Sequence, residues 1–419
     1  MKRFLPHLVL PLLLLPLLLA ACTQPAGHPN RDHYTVIVSL DGFRWDYPLI
    51  HSTPFLDTMA RRGVQAVMHP SYPASTFPNH YTMATGLVPD HHGIVNNAFW
   101  DPVGRRTYGM TDSLTRNDPF YYLGEPIWLT AQRQGVKTGN VYWVGSDIAV
   151  RGNHVEADEA AHATHYPTYH LVWADEPRLT FAERVDETVR LLSLPEDERP
   201  RLVMTYFDEP DHNGHVYGPT GAETGQVVHE LDSLMAVLWD GLQASPVAGQ
   251  VNLIVTADHG MTAIADERFI CVDDYIPAHW VEHVVGANPT SIFTRPAYRD
   301  SVLQALQGAP HLSVWRREDI PAELMYGSSE RVGDVVVAPE LGWQFDHQPR
   351  HLLGAHGYEP SHADMQVAFR AMGPDFLVGH TATPFVNVDL YPLLAHLLGI
   401  TPEPTDGHLD RVLGMLAEP

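Results

Sequence analysis

The chain has 419 residues, with 50 acidic against 26 basic side chains and a formal charge of −24. That balance excludes an electrostatic partnership with nucleic-acid polymers or an anionic membrane surface, which reward clustered lysine and arginine. The length suits one large α/β domain with an insert, or two domains. An anionic small substrate would need local positive charge, which a bound metal ion supplies.

The first residues have the pattern of an export signal. Lys2 and Arg3 precede the apolar run LVLPLLLLPLLLAA, which is too short and too interrupted by proline for an ideal membrane span. The run ends Leu19-Ala20-Ala21-Cys22, which resembles the bacterial lipobox, whose cysteine becomes the lipidated first residue of the mature protein. Residues 1–22 are therefore expected to be a signal peptide with a lipid anchor at Cys22, each buried methylene adding about 0.8 kcal/mol of membrane affinity. Thr23 after the cysteine favours the periplasmic face of the outer membrane, in the cell envelope. Residues 23–33, TQPAGHPNRDH, read as a tether, and 34–419 as the folded domain. With Cys22 used for lipid, Cys271 has no intramolecular disulfide partner and reads as a buried apolar residue.

YTVIVSL (34–40), RLVMTYF (201–207) and VNLIVTA (251–257) are apolar runs without strict alternation. That is the pattern of strands buried on both faces of a mostly parallel sheet. In PSYPASTFPNHYTMATG, the stretch up to Gly86 predicts a short helix with Thr76 at or near its N-terminus. IWLTAQRQG, after Glu125-Pro126 and ending at Gly135, predicts a second helix. Val227, Leu231, Leu234, Leu238 and Leu242 recur at helical spacing and predict a core helix over 221–243. From about 271 to 345 the pattern changes to short strands around the helix-like YRDSVLQALQG, which predicts a small α/β insert. VNVDLYPLLAHLLGI predicts a closing helix with Pro392 near its start or at a kink.

Each of the three apolar runs leads into acid: Asp41-Gly42, Asp208-Glu209-Pro210-Asp211 with His215 four residues on, and Asp258-His259-Gly260. In open α/β sheets the ligand site lies beyond the carboxyl ends of the strands, so these segments are expected to converge. Mixed carboxylate and imidazole donors without thiolate suit catalytic zinc or a similar divalent ion. A threonine at a helix N-terminus meets free backbone N–H groups suited to a phosphoryl group, although N-capping alone would also place it there. Its hydroxyl needs activation by a base or a metal before it can attack.

Together with STFPNHYTMATG, His92-Gly93-Ile94-Val95-Asn96-Asn97, GEPIW, Trp143-Val144-Gly145-Ser146-Asp147, EPDHNGH, ADHGM, Ala355-His356-Gly357-Tyr358 and NVDLYPLL, these segments resemble the nucleotide pyrophosphatase/phosphodiesterase family of the alkaline phosphatase superfamily. The resemblance runs in order from about residue 34 to 400. It implies an alkaline phosphatase-like α/β core and two Zn2+ ions, with other divalent ions able to substitute. One zinc would be held by Asp41, Asp258 and His259 beside a nucleophilic Thr76, the other by Asp211, His215 and His356. It further implies that Asn97 and the backbone amide of Phe77 hold a phosphoryl oxygen, and that the reaction passes through a covalent phospho-threonine.

Phe77 would stack on a nucleobase or other group, with Trp173 or Tyr169 as the second aromatic; ordinary packing is the other reading of these rings. Val144 replaces a proline common in relatives, a loop change. No Cys-x-Pro-x-Arg element is present, which disfavours a sulfatase. The expected substrate is a nucleotide or other small phosphodiester. Competing readings are a phosphomonoesterase, a phosphonate or lipid-head-group hydrolase on the same metals, and a non-catalytic metal-binding envelope lipoprotein.

Overall fold

The structure is a computed structural model that describes Met1 and residues 33–153, 165–173 and 177–417. The expected signal peptide, Cys22 and all of the tether except His33 lie outside the described residues. Among the described residues no helix is long and apolar enough to cross a membrane.

The three apolar runs form the middle of a nine-stranded sheet, whose order is His380–Thr381, Val64–His69, Val367–Met372, Val251–Thr256, Tyr34–Leu40, Leu202–Phe207, Thr138–Val141 and Tyr169–His170. Phe385–Val386 also pairs with Val64–His69. Tyr34–Leu40 runs parallel to both Leu202–Phe207 and Val251–Thr256 and is buried at all seven positions, as expected of a strand covered on both faces. Val367–Met372 is antiparallel to both its neighbours.

Two groups of helices flank the sheet. Pro54–Arg62 and Phe181–Leu192 each pack on the long helix Ala222–Gln243. Thr76–Thr85, Ile127–Arg133 and Leu390–Leu398 pack on one another. The predicted stripe of the long helix is inward-facing, with Leu231, Leu238 and Leu242 buried and Val227 and Leu234 packed against the core. Pro392 sits in the first turn of the closing helix, where its missing N–H costs no hydrogen bond.

A second sheet of four antiparallel strands has the order Val281–Val285, Thr290–Thr294, Val335–Pro339 and Leu312–Arg316. The helix Arg299–Gln307 packs on it. Val335 and Val337 enter a small core with Ile292, Val302 and Leu306, while Val336 between them joins the main core, as strand alternation requires. Buried Arg331 ties this unit to the main body, with Nε 2.7 Å from Asp101 Oδ2 and Nη1 2.7 Å from the carbonyls of Gly93 and Tyr121. Cys271 departs from its expectation: it is half-buried at the end of a short strand, its Sγ 3.7 Å from the carbonyl of His347.

Candidate active site

The ends of the three central strands converge. Asp41 follows Tyr34–Leu40, Asp258 and His259 follow Val251–Thr256, and Asp211 opens the helix Asp211–Tyr217 just beyond Leu202–Phe207. His215 lies one turn along that helix, and His356 follows the short strand Gly354–Ala355. His259 Nε2 is 3.3 Å from Asp41 Oδ1 and 3.2 Å from Asp258 Oδ2. Asp211 lies 3.4 Å from His215 Nε2 and 3.7 Å from His356 Nε2. The rings of His259 and His356 stack at 3.8 Å. Gly42 makes this convergence possible: its φ of +70° suits glycine, its N–H donates to Asp258 Oδ1 at 3.2 Å, and an added Cβ would lie 3.1 Å from Asp211 Cα.

Thr76 is the first residue of the helix Thr76–Thr85, and Ser75 is the N-cap, without a side-chain capping bond. Thr76 is therefore not the cap. Its Oγ1 sits 3.1 Å from His259 Nε2. Asn97 reaches the same helix end, but its Oδ1 accepts from Phe77 N–H at 2.9 Å. The two groups expected to hold a phosphoryl oxygen hold each other here, which leaves the Asn97 side-chain N–H2 as the available donor. Asn97 is in turn positioned by Asn96, whose Oδ1 accepts its backbone N–H at 2.8 Å and whose Nδ2 donates to Pro289 at 3.1 Å.

Of the two candidates for the second aromatic, the fold brings Trp173 to the site and leaves Tyr169 away from it. Tyr169 is paired with Gly139 on the sheet edge and donates its hydroxyl to the carbonyl of Glu198, near the opposite end of the sheet. Trp173 meets Phe77 edge to face at 6.3 Å and stacks on Tyr206 at 5.3 Å. Phe77 is only 3% exposed, so the two rings form a wall rather than an open slot.

A family model for type I phosphodiesterase/nucleotide pyrophosphatase matches residues 35–359. The chain belongs to this family. Nucleotide pyrophosphatase/phosphodiesterases similar to it include ectonucleotide pyrophosphatase/phosphodiesterase family member 7 of Rattus norvegicus, 32% identical over 419 residues, with 96% of this chain and 92% of the relative covered. Human family member 5 is 31% identical over 385 residues, covering 91% of this chain and 77% of the relative. The solved murine member 5 superposes with a TM-score of 0.84 at 31% identity, covering 92% of this chain and all of that one. It has also been solved with the same TM-score, 0.84, as an inactive threonine-to-alanine variant in complex with AMP.

In this member of the family the donor set is suited to a cation. Asp211, His215 and His356 form one group of donor atoms able to hold a metal ion, and Asp41, Asp211 and His259 a second that shares Asp211, with Asp258 against His259. Each imidazole has Nδ1 against a backbone carbonyl: His215 to Gly354 at 2.8 Å, His259 to Gly260 at 2.8 Å and His356 to Ala74 at 3.1 Å. A carbonyl only accepts, so each Nδ1 carries the proton and each Nε2 presents a lone pair to the carboxylates.

Asp41 Oδ1, Asp211 Oδ1 and Asp258 Oδ2 are buried without a hydrogen-bond donor. Burial first, then neighbouring aspartates, pushes all three carboxyls well above their ordinary range. Burial holds the His259 imidazole neutral, with its pKa lowered to about 3. Lone pairs facing lone pairs in a dry crevice call for a cation, and oxygen and nitrogen donors without sulfur fit zinc or a similar ion.

Two residues that support the site were not anticipated. Tyr206 donates its hydroxyl to Asp41 Oδ2 at 2.5 Å. Its place in the register, opposite Ser39 and one step before Phe207, was the available signal. His80, one turn after Thr76, is buried, with Nδ1 2.9 Å from the carbonyl of Thr76 and Nε2 2.9 Å from Ser39 Oγ.

Proposed function

We propose that the protein is a two-zinc phosphodiesterase that releases nucleoside monophosphates from nucleotide phosphodiester or pyrophosphate bonds, with Thr76 as nucleophile. The observation that carries this reading is the placement of Thr76 Oγ1, at a helix N-terminus and 3.1 Å from His259 Nε2 in a crevice where Asp41, Asp211 and Asp258 each keep one buried oxygen without a donor. Asp41, Asp258 and His259 would hold the ion beside Thr76, and Asp211, His215 and His356 the other. When bound, the ions supply the positive charge that lowers the pKa of the hydroxyl and offsets charge on the phosphoryl group.

The chain's own groups do the positioning. Thr76 Oγ1 is aimed into the crevice by the helix start. As Thr76 Oγ1 bonds to phosphorus its proton passes to solvent, the bond to the leaving oxygen breaks and the leaving fragment departs with that electron pair, and the nucleotidyl group rests on Thr76 until water hydrolyses the ester and restores the hydroxyl. Asn97, anchored through Phe77 N–H, offers its side-chain N–H2 to a nonbridging oxygen. Half-buried Trp173, backed by the Phe77 ring, offers aromatic surface for a base. The murine relative solved with AMP supports a nucleotide as the bound fragment, and its inactive threonine-to-alanine form supports a threonine in the chemistry.

Thr76→Ala tests the assignment. Hydrolysis of the p-nitrophenyl ester of thymidine monophosphate should fall on the order of 10³-fold or more. Unchanged turnover would refute the nucleophile, and a preference for p-nitrophenyl phosphate would replace diesterase with monoesterase. The lipobox-like end at Cys22 supports a lipid-anchored enzyme of the bacterial envelope. Radiolabelled palmitate should enter the full chain and be lost in Cys22→Ser; equal labelling of both would sink the anchor.

A further inference from the structure

A second cavity lies at the edge of the main sheet, apart from the six donor side chains. Val64–His69 and Phe385–Val386 run parallel to one another and, through the antiparallel Val367–Met372, in the same sense as Val251–Thr256. Their carboxyl ends therefore open at the same end of the sheet as Asp258, where α/β proteins bind ligands. Residues of the segment 321–325, from the second unit, face them. The space between is about 530 Å³, within the range of small-molecule sites at such junctions.

The cavity has apolar walls and unbalanced charge. Val88, Leu324, Pro360 and Val388 line it together with Glu323, Glu359, Asp406 and Arg411. Asp406 is taken up by the Val88 N–H at 2.9 Å and by His91 at 2.8 Å, and Arg411 lies 3.4 Å from Asp389 Oδ1. Of the two histidines that also line it, His69 has its pKa lowered by burial and His408 is exposed. Glu323, exposed at the mouth, and half-buried Glu359 have no hydrogen bond or ion pair at their carboxylates among the described residues.

The wall also carries an unused polar group. Tyr72 lines the cavity, is 2% exposed and packs edge to face on Tyr326 at 5.2 Å, and its hydroxyl is buried without a hydrogen-bond partner. Burial, then Tyr326 and Glu359, keep it a neutral phenol. An ammonium group answers both features, because it brings positive charge to the carboxylates and N–H donors to the phenol oxygen. The apolar walls call for an apolar body on that ammonium. Neither glutamate belongs to a group of donors able to hold a metal ion among the described residues.

We infer that this cavity binds a small organic cation, an alkylammonium with an apolar body, and that its occupancy is felt at the catalytic crevice. Tyr72 stands four residues before Thr76, and Glu359 three after His356. The two segments are tied where His356 Nδ1 meets the Ala74 carbonyl at 3.1 Å. A ligand held by Tyr72 and Glu359 therefore acts on both segments, the condition for coupling between two sites. The binding site stands apart from the residues on which the diesterase reading rests.

The test titrates zinc-loaded full-length enzyme by calorimetry with phenethylammonium, and with phenethyl alcohol and phenylacetate as neutral and anionic probes of similar shape. It is run at about pH 8, where alkylamines are protonated and imidazoles in general are neutral. The ammonium should bind about 10- to 100-fold tighter than the alcohol, the gain expected of a charged hydrogen bond, and phenylacetate should bind least. Glu359→Gln should remove most of that preference, and Leu324→Trp, which fills the cavity without changing its charge, should block the ammonium. Saturating ammonium should change kcat/KM for ester hydrolysis about fivefold or more in the parent and leave Leu324→Trp unaffected. Equal binding of the three probes, or ammonium binding untouched by Glu359→Gln, would overturn the site. Binding with unchanged turnover would overturn its link to the crevice. Should Leu324→Trp fail to fold, the near-isosteric Glu359→Gln carries both readouts.

Discussion

Removing the Tyr206 hydroxyl should weaken the metal site without disturbing the fold around it. Phenylalanine keeps the ring contacts with His80 at 4.7 Å and Trp173 at 5.3 Å, so Tyr206→Phe deletes only the bond to Asp41 Oδ2. A hydrogen bond to a buried charge contributes about 1.5–3 kcal/mol, and partners of metal ligands typically account for about 10- to 100-fold in metal affinity. The sign of the pH effect follows from the same bond. Burial and then Asp211 raise the Asp41 pKa, and the Tyr206 hydroxyl opposes them. Without it Asp41 holds a proton more tightly, and an incoming cation must displace that proton.

The half-saturating zinc concentration should therefore rise about 10- to 100-fold, and by more at lower pH. Chelator-buffered zinc titration of ester hydrolysis at two pH values measures this. A half-saturating concentration shared by variant and parent at both pH values would refute the role given to Tyr206.

Gly42→Ala places a side chain at φ +70° and a Cβ 3.1 Å from Asp211. It should cost about 1–2 kcal/mol of stability and shift the Asp211 ligand, seen as a lower Tm together with a higher zinc requirement. Asn97→Ala should lower kcat about 10²- to 10³-fold. Asn96→Ala, which removes the support of the Asn97 backbone and a bond to the Pro289 carbonyl, should cost clearly less, and steady-state kinetics on one ester ranks the two. Trp173→Ala should raise KM for nucleoside esters about tenfold, from stacking of about 1–3 kcal/mol per base. Tyr169→Phe should leave KM unchanged and cost about 1 kcal/mol of stability through the lost bond to Glu198, measured by denaturant unfolding.

The central strands and the ligand segments were legible because both are continuous in sequence. A strand buried on both faces is an unbroken apolar run, and a metal ligand at its end needs only the next residue. Val64–His69, which alternates between buried and half-buried positions, and the buried antiparallel Val367–Met372, whose apolar run Arg370 interrupts, went unread, because short interrupted runs leave a weaker pattern. Tyr206 and His80 support the site through register and helix phase, which single-residue chemistry does not reveal. Trp173 and Tyr169 were equivalent as aromatics. What separates them is a two-residue strand that pins Tyr169 to Gly139 and lets the chain continue toward Phe77. The amide of Phe77 read as free because helix-start donors usually are; the side chain of Asn97, which takes it up, comes from twenty residues on.

The six donor side chains come from four separate stretches of chain between Asp41 and His356. Such a centre is complete only after the first strand, the middle helix and the segment following the second sheet have all docked. Contacts so distant along the chain tend to close late in folding. An ion held there would therefore act as a clasp on the finished molecule, slowing its unfolding far more than it hastens its formation. The enzyme's persistence in a metal-poor medium is then a question of how fast the clasp opens rather than of how well the core is packed.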